Sequence, residues 1–108
     1  MSANAAAQLH TPESLDKVIA KYDPKPLHTI LERTAAKFPD NTAIHFDGND
    51  FNYKTLAHLV DRAAAGLQAL GVSKNTKVGL FMPNTPFSII GYFAILKAGG
   101  TVVNYNPL

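Results

Sequence analysis

The run from Lys77 to the end of the chain limits the fold more than any other stretch. Lys77-Val78-Gly79-Leu80-Phe81-Met82 reads as a strand, and Pro83-Asn84-Thr85-Pro86 turns the chain. Thr85 caps a helix with Pro86 in its first turn, and the helix continues through Phe87, Ile90, Phe93, Ala94 and Leu96 to Ala98. Gly99-Gly100 closes it, and Thr101-Val102-Val103-Asn104-Tyr105 is the next strand. Strand, short helix and strand make a parallel crossover unit, right-handed by the usual twist of such connections. Ile89, Tyr92 and Ile95 extend the apolar surface around the helix, broken only by Ser88, Gly91 and Lys97. A helix of that kind is covered on more than one side. A strand as apolar as the last one ordinarily has neighbours on both edges. A chain of 108 residues is one domain or less. It buries roughly two thirds of its unfolded surface, enough for one modest core. The expectation is therefore a piece of a larger protein.

The upstream sequence supplies helices and a hairpin. Residues 1 to about 11 are small and polar, a loose tail, and Thr11-Pro12-Glu13 starts a short helix through Leu15, Val18 and Ile19. Tyr22-Asp23-Pro24-Lys25-Pro26 is a spacer whose prolines favour an extended path. Thr29-Ile30-Leu31-Glu32 is a capping-box pattern that predicts a helix start at Thr29, with Leu31, Ala35 and Phe38 on one face and Pro39-Asp40 as its end. Ala43-Ile44-His45-Phe46, the turn Asp47-Gly48-Asn49-Asp50 and the return Phe51-Asn52 predict a hairpin. Tyr53, Leu56, Val60, Ala63, Leu67 and Leu70 then recur at three- and four-residue steps, one apolar stripe of a long helix. Asn52 is its N-cap and Gly71 its left-handed stop, while Lys54, His58, Asp61, Arg62 and Gln68 face outward.

Composition and motifs exclude more chemistry than they suggest. Ten basic and eight acidic residues give a formal charge of +2, and Lys and Arg are scattered singly. A nucleic-acid surface would cluster them on one face. The absence of cysteine removes disulfides, thiolate catalysis and Cys-type zinc sites. The alanine-rich start lacks a basic and an apolar region, so it does not read as a signal peptide. The prolines at 83 and 86 interrupt the apolar stretch from Val78 to Leu96, leaving neither part near the ~20 residues a membrane helix needs. A cytoplasmic protein is expected. His10, His28, His45 and His58 have no i+3 or i+4 partner for a metal. Ser73 and Ser88 lack a nucleophile-elbow context, and Asp40, Asp47 and Asp50 sit at turns, where carboxylates cap backbone donors. Gly99-Gly100 ends a helix instead of opening one after a strand, so it is not a dinucleotide loop. Asn84 and Asn106, each beside a proline, are read as ordering turns. No catalytic, cofactor-binding or metal-binding residue is assigned. A small-ligand pocket near Phe81, Phe87 and Phe93 is one alternative, and a freestanding, non-catalytic interaction module is another.

From Leu27 to Leu108 the chain resembles the N-terminal part of the AMP-forming acyl-CoA synthetases, within the adenylate-forming superfamily. Leu27-His28-Thr29-Ile30-Leu31-Glu32 through Phe38-Pro39-Asp40-Asn41-Thr42-Ala43-Ile44 is similar to the family's opening helix and first strand. Phe51-Asn52-Tyr53-Lys54-Thr55-Leu56 resembles its first core motif, L-T-Y-x-E-L, with Phe for Leu, Asn for Thr and Thr for Glu. Ala64-Ala65-Gly66-Leu67 to Leu70-Gly71-Val72, Val78-Gly79-Leu80-Phe81-Met82-Pro83-Asn84 and Ile95-Leu96-Lys97-Ala98-Gly99-Gly100 continue the likeness in order. The ending Val103-Asn104-Tyr105-Asn106-Pro107-Leu108 looks most like the long-chain fatty acid–CoA ligase branch.

The resemblance implies an α/β fold: a partial N-terminal subdomain with a β-hairpin, a parallel βαβ crossover and helices packed on the sheet. Residues 1–26 would be a tail and spacer, and 27–108 an incomplete N-terminal part of the large adenylate-forming domain. It implies that the parent enzyme joins a fatty acid to coenzyme A using ATP and Mg2+, and that the phosphate loop and catalytic lysine lie outside these residues. The 108 residues alone are then expected to be inactive and to self-associate through an exposed edge, with no nucleic-acid partner.

Overall fold

The computed structural model describes residues 12–22 and 24–107. The tail expected over residues 1–11 lies outside them. The elements are α1 (Pro12–Ala20), α2 (His28–Lys37), β1 (Thr42–Phe46), β2 (Asn49–Asn52), α3 (Tyr53–Ala69), β3 (Lys77–Phe81), α4 (Pro86–Lys97) and β4 (Thr101–Tyr105). The α/β class and the order of the elements agree with the sequence.

Local chemistry sets most boundaries. In the hairpin Phe46 pairs with Asn49, leaving Asp47 and Gly48 as a two-residue turn. Both have positive φ, 50° and 75°, the geometry that lets a tight turn match the twist of its strands. β2 therefore begins at Asn49, two residues before the expected return strand, because the turn needs only two residues. Asn52 caps α3, its Oδ1 accepting from the Thr55 N–H at 2.8 Å. At the far end Gly71 takes φ 102°, and the Val72 and Gly71 N–H groups donate to the Leu67 and Gln68 carbonyls. This left-handed closure satisfies carbonyls that the last turn would otherwise leave open.

The start of α2 differs from expectation. The helix begins at His28, with Leu27 at the cap position and no side-chain cap. Thr29 lies inside it, and its hydroxyl donates backwards to the Pro26 carbonyl at 2.6 Å. Glu32 serves a tertiary contact described below, so the capping box does not form. Phe38 falls just past the helix end and is 46% exposed, so of the predicted face only Leu31 is buried.

β3 and β4 pair in parallel, Val78 with Val102 and Phe81 with Tyr105, and α4 makes the crossover between them. Ser88 anchors the start of α4, its hydroxyl accepting from the Thr85 N–H and donating to the Thr85 carbonyl. The paired glycines at its end do different work. Gly99 takes φ 96° to end the helix. Gly100 passes so close to Val72, Ile95 and the Thr76 carbonyl that a Cβ there would lie 3.0 to 3.2 Å from all three. That approach lets the Thr101 N–H reach the Thr76 carbonyl at 2.7 Å, which starts the β3–β4 ladder.

The core has two parts. Leu31, Leu56 and Val60 join α2 to α3 and draw in Ile44, Tyr53, Ile90 and Phe93. Ala64, Ala94 and Ala98 form a small-residue seam between α3 and α4, flanked by Ala63, Leu67 and Val72. Alanines on both helices let the backbones approach closely, as ridge-into-groove packing allows. The expected stripe of α3 holds through Leu67: Leu56 and Val60 are buried, Ala63 and Leu67 are half-buried against the alanine seam, and only Leu70, at the C-cap, is exposed, at 85%. Of α4, only Phe87 is exposed, so the all-round apolar helix is covered on several sides as its sequence requires.

Candidate functional site

A cleft of roughly 570 Å³ opens at the C-terminal ends of β3 and β4, against the first turns of α4. In open parallel sheets this end of the strands is where ligands ordinarily bind. Leu80, Met82, Ile89, Phe93 and Pro107 form its apolar walls, and Asn84, Asn104, Asn106, Ser88, Tyr92 and Tyr105 bring polar groups to it. The Ser88 hydroxyl is engaged with Thr85. The Asn84, Asn104 and Asn106 carboxamides and the Tyr92 and Tyr105 phenols make the polar part of the lining neutral. No charged side chain lines the cleft. Its donors can align a ligand, but it holds none of the Arg or Lys side chains that ordinarily clamp a transferring phosphoryl group.

In sequence Asn84 and Asn106 read as turn residues and Asn104 only as part of a strand. The structure brings all three to one cleft although they come from two loops and a strand. Of Phe81, Phe87 and Phe93, only Phe93 reaches it; Phe81 is 65% exposed and Phe87 72% exposed. The pocket expected near those three aromatics therefore does not form as such. The period-two alternation of β3 puts Phe81 on the opposite face from Leu80.

The histidines stay apart. His45 contacts Asp50 across the hairpin through Nδ1 and Oδ1, on an exposed face. His58 is exposed on α3, and His10 lies outside the described residues. Among the described residues no group of three or more His, Asp or Glu is placed to hold a metal ion. The neutral donor set of the cleft does not fit Mg2+.

The strongest electrostatic feature lies at the other end of α4. Lys97, at its last turn, contacts Asp61 of α3 and Glu32 of α2, the latter at 2.8 Å. The ammonium ties three helices together. The hydrogen bond to Asp61, then that to Glu32, raises the Lys97 pKa, while partial burial works against it. Nothing local in the sequence signals this cluster, because its members lie on three separate elements.

Comparison with known proteins fits the geometry. The AMP-binding enzyme family matches residues 31–108. The chain belongs to that family. It is 42% identical over 84 residues to a long-chain-fatty-acid–CoA ligase of Bacillus subtilis, an alignment covering 78% of this chain and 15% of the ligase. It is 36% identical over 81 residues to the phosphinothricin tripeptide synthetase PhsC of Streptomyces viridochromogenes, covering 75% of this chain and 8% of the synthetase. Among solved structures it matches the N-terminal subdomain of Klebsiella oxytoca NpsA in complex with 3-hydroxybenzoyl-AMSN, with TM-score 0.77 and 29% identity. That match covers 80% of this chain and 22% of the NpsA chain. The adenylate-forming fold expected from the motifs is thus the fold observed, and the chain spans a minor part of each relative's length. No helix among the described residues is long and apolar enough to cross a membrane.

Proposed function

We propose that these residues are the N-terminal portion of a long-chain fatty acid–CoA ligase working in the cytoplasm. Residues 27–108 would form part of its large adenylate-forming domain, and 1–26 a tail and spacer. In the parent reaction a fatty acid carboxylate attacks the α-phosphate of ATP and pyrophosphate leaves. The coenzyme A thiol then attacks the acyl carbon of the adenylate and AMP leaves. Mg2+ would be held by parts of the enzyme other than these. The observation that carries the substrate reading is the 42% identity to the Bacillus ligase, supported by the Val103–Leu108 ending.

The part played by the present residues is scaffolding. The buried α2–α3–α4 core and the β3–β4 pair are built from apolar packing, and the neutral cleft lacks groups for phosphoryl transfer. The 108 residues alone are then inactive, and their open strand edges favour self-association. The 36% identity to a peptide synthetase supports a second reading, an adenylating enzyme for another acyl or aryl acid. The test is a substrate panel on the intact protein that carries these residues, read by acid-dependent pyrophosphate release and acyl-CoA formation. Turnover of long-chain fatty acids above amino and aryl acids supports the first reading. Preference for an amino or aryl acid without coenzyme A transfer replaces it with the second. A native protein of about this chain's 11.6 kDa would leave only the non-catalytic module.

A further inference from the structure

Half of the chain's ten basic residues, Lys17, Lys21, Lys25, Arg33 and Lys37, lie between positions 17 and 37, against two acids, Asp23 and Glu32. Glu32 is already paired with Lys97. The exposed face of α2 gathers two of these cations around apolar surface. Ile30, Arg33, Thr34, Lys37 and Phe38 line one open groove of roughly 340 Å³, and no acidic side chain lines it. Ile30 and Phe38 are exposed, and the Lys37 ammonium stands 5.4 Å from the centre of the Phe38 ring. α1 carries a second surface of this kind. Leu15, Val18, Ile19 and Tyr22 fall at i, i+3, i+4 and i+7, one stripe of a helix, with Asp16 and Lys17 off the stripe. The winding runs on past Ala20, since the Tyr22 N–H donates to the Ile19 carbonyl at 3.0 Å. All four stripe residues are exposed. α1 precedes residues 31–108, the part that matches the family.

Charge decides what can cover these faces. More protein packed on α2 would take Arg33 and Lys37 out of water with no acidic side chain in the groove to pair them, which folded interiors avoid. A surface that is anionic outside and apolar beneath suits both kinds of side chain at once: the cations stay at the charged layer and the apolar residues enter below it. A peptide would need one continuous groove, and this one is built on α2 and its end alone. We propose that the exposed faces of α2 and α1 dock on an anionic lipid bilayer. Arg33 and Lys37 meet lipid phosphates, Ile30 and Phe38 enter the headgroup boundary, and the Leu15, Val18, Ile19 and Tyr22 stripe is a second contact. The proposal does not rest on the fatty-acid reading, because its test is vesicle binding and not turnover.

The test is co-sedimentation of the intact protein that carries these residues with two kinds of vesicle, pure phosphatidylcholine and an equal mixture of phosphatidylcholine and phosphatidylglycerol. Binding should appear with the anionic vesicles and fall as salt screens the contact. The double substitution Arg33→Gln, Lys37→Gln should weaken it at least ~10-fold, each cation at an anionic surface being worth about a fivefold change. The pair Leu15→Ser, Ile19→Ser should weaken it as well, through lost apolar burial. Lys74→Gln, an exposed cation in the turn before β3, should leave it unchanged. All of the substituted side chains are exposed, so melting temperatures should stay at the wild-type value. Equal binding to both vesicles, or binding to neither, overturns the assignment. So does binding that survives the Arg33 and Lys37 substitutions, or that Lys74→Gln weakens as much as they do.

Discussion

Replacing Lys97 by methionine removes the one charge shared by three helices while keeping an unbranched apolar stem. Lys97 is 30% exposed, and its partners Glu32 and Asp61 are 42% and 55% exposed. A hydrogen bond to a charged group contributes about 1.5–3 kcal/mol where water is excluded. Exposed ion pairs contribute only about 0.2–1 kcal/mol. Half-exposed carboxylates belong nearer the lower range, so two contacts sum to about 1 kcal/mol. For a domain of this size that corresponds to roughly 4–8 °C in Tm. Chemical denaturation of wild type, Lys97→Met, Glu32→Gln, Asp61→Asn and the two doubles gives the coupling directly. Each pair should couple by about 0.5 kcal/mol, less in high salt as screening grows. The pH dependence has a definite sign. The pKa of Lys97 is raised on folding, so its contribution is complete below the ordinary lysine range and fades as pH climbs through the raised value. Wild type and Lys97→Met should therefore differ in stability at neutral pH and converge only in strong alkali. Zero coupling in both cycles, or a Lys97→Met chain as stable as wild type at neutral pH, refutes the argument.

Other substitutions probe the scaffold. Leu56→Ala opens a cavity between α2 and α3 and should cost about 2–4 kcal/mol in urea unfolding, enough to abolish a cooperative transition in a marginal chain. Asn52→Ala removes the acceptor for the Thr55 N–H and should cost about 1 kcal/mol, against a few tenths for Asn52→Gly. The exposed Phe81 and Leu70 leave apolar surface on the molecule, so light scattering should show mass rising with concentration, and Leu70→Lys should reduce the rise. A concentration-independent monomer would count against the open-edge reading.

Sequence signals were decisive where one local interaction fixes an element. Asn52, Gly71 and Gly99 placed helix ends because their capping and left-handed roles need only near neighbours. β4 emerged with its predicted bounds because a glycine pair and a proline bracket it. The failures arose where distant residues decide. Thr29 and Glu32 have capping-box spacing, but Glu32 is held by Lys97, and Thr29 finds a nearer acceptor in the Pro26 carbonyl. The periodicity of α3 correctly marks Leu67 and Leu70 as apolar-face residues. It carries no information on whether a cover is present, and Leu70 has none here. Asn84 and Asn106 beside prolines look like turn residues in sequence. Only the parallel register of β3 and β4 shows that both border one cleft with Asn104.

The central claim is that these residues frame an adenylate-forming enzyme without supplying its chemistry. The direct measurement is exchange of labelled pyrophosphate into ATP by the pure 108-residue chain, with Mg2+ and a long-chain fatty acid present. The account predicts no fatty-acid-dependent exchange above buffer. Exchange that depends on the fatty acid and is lost on altering Asn84 and Asn104 would contradict it, because the cleft would then be performing the adenylation itself.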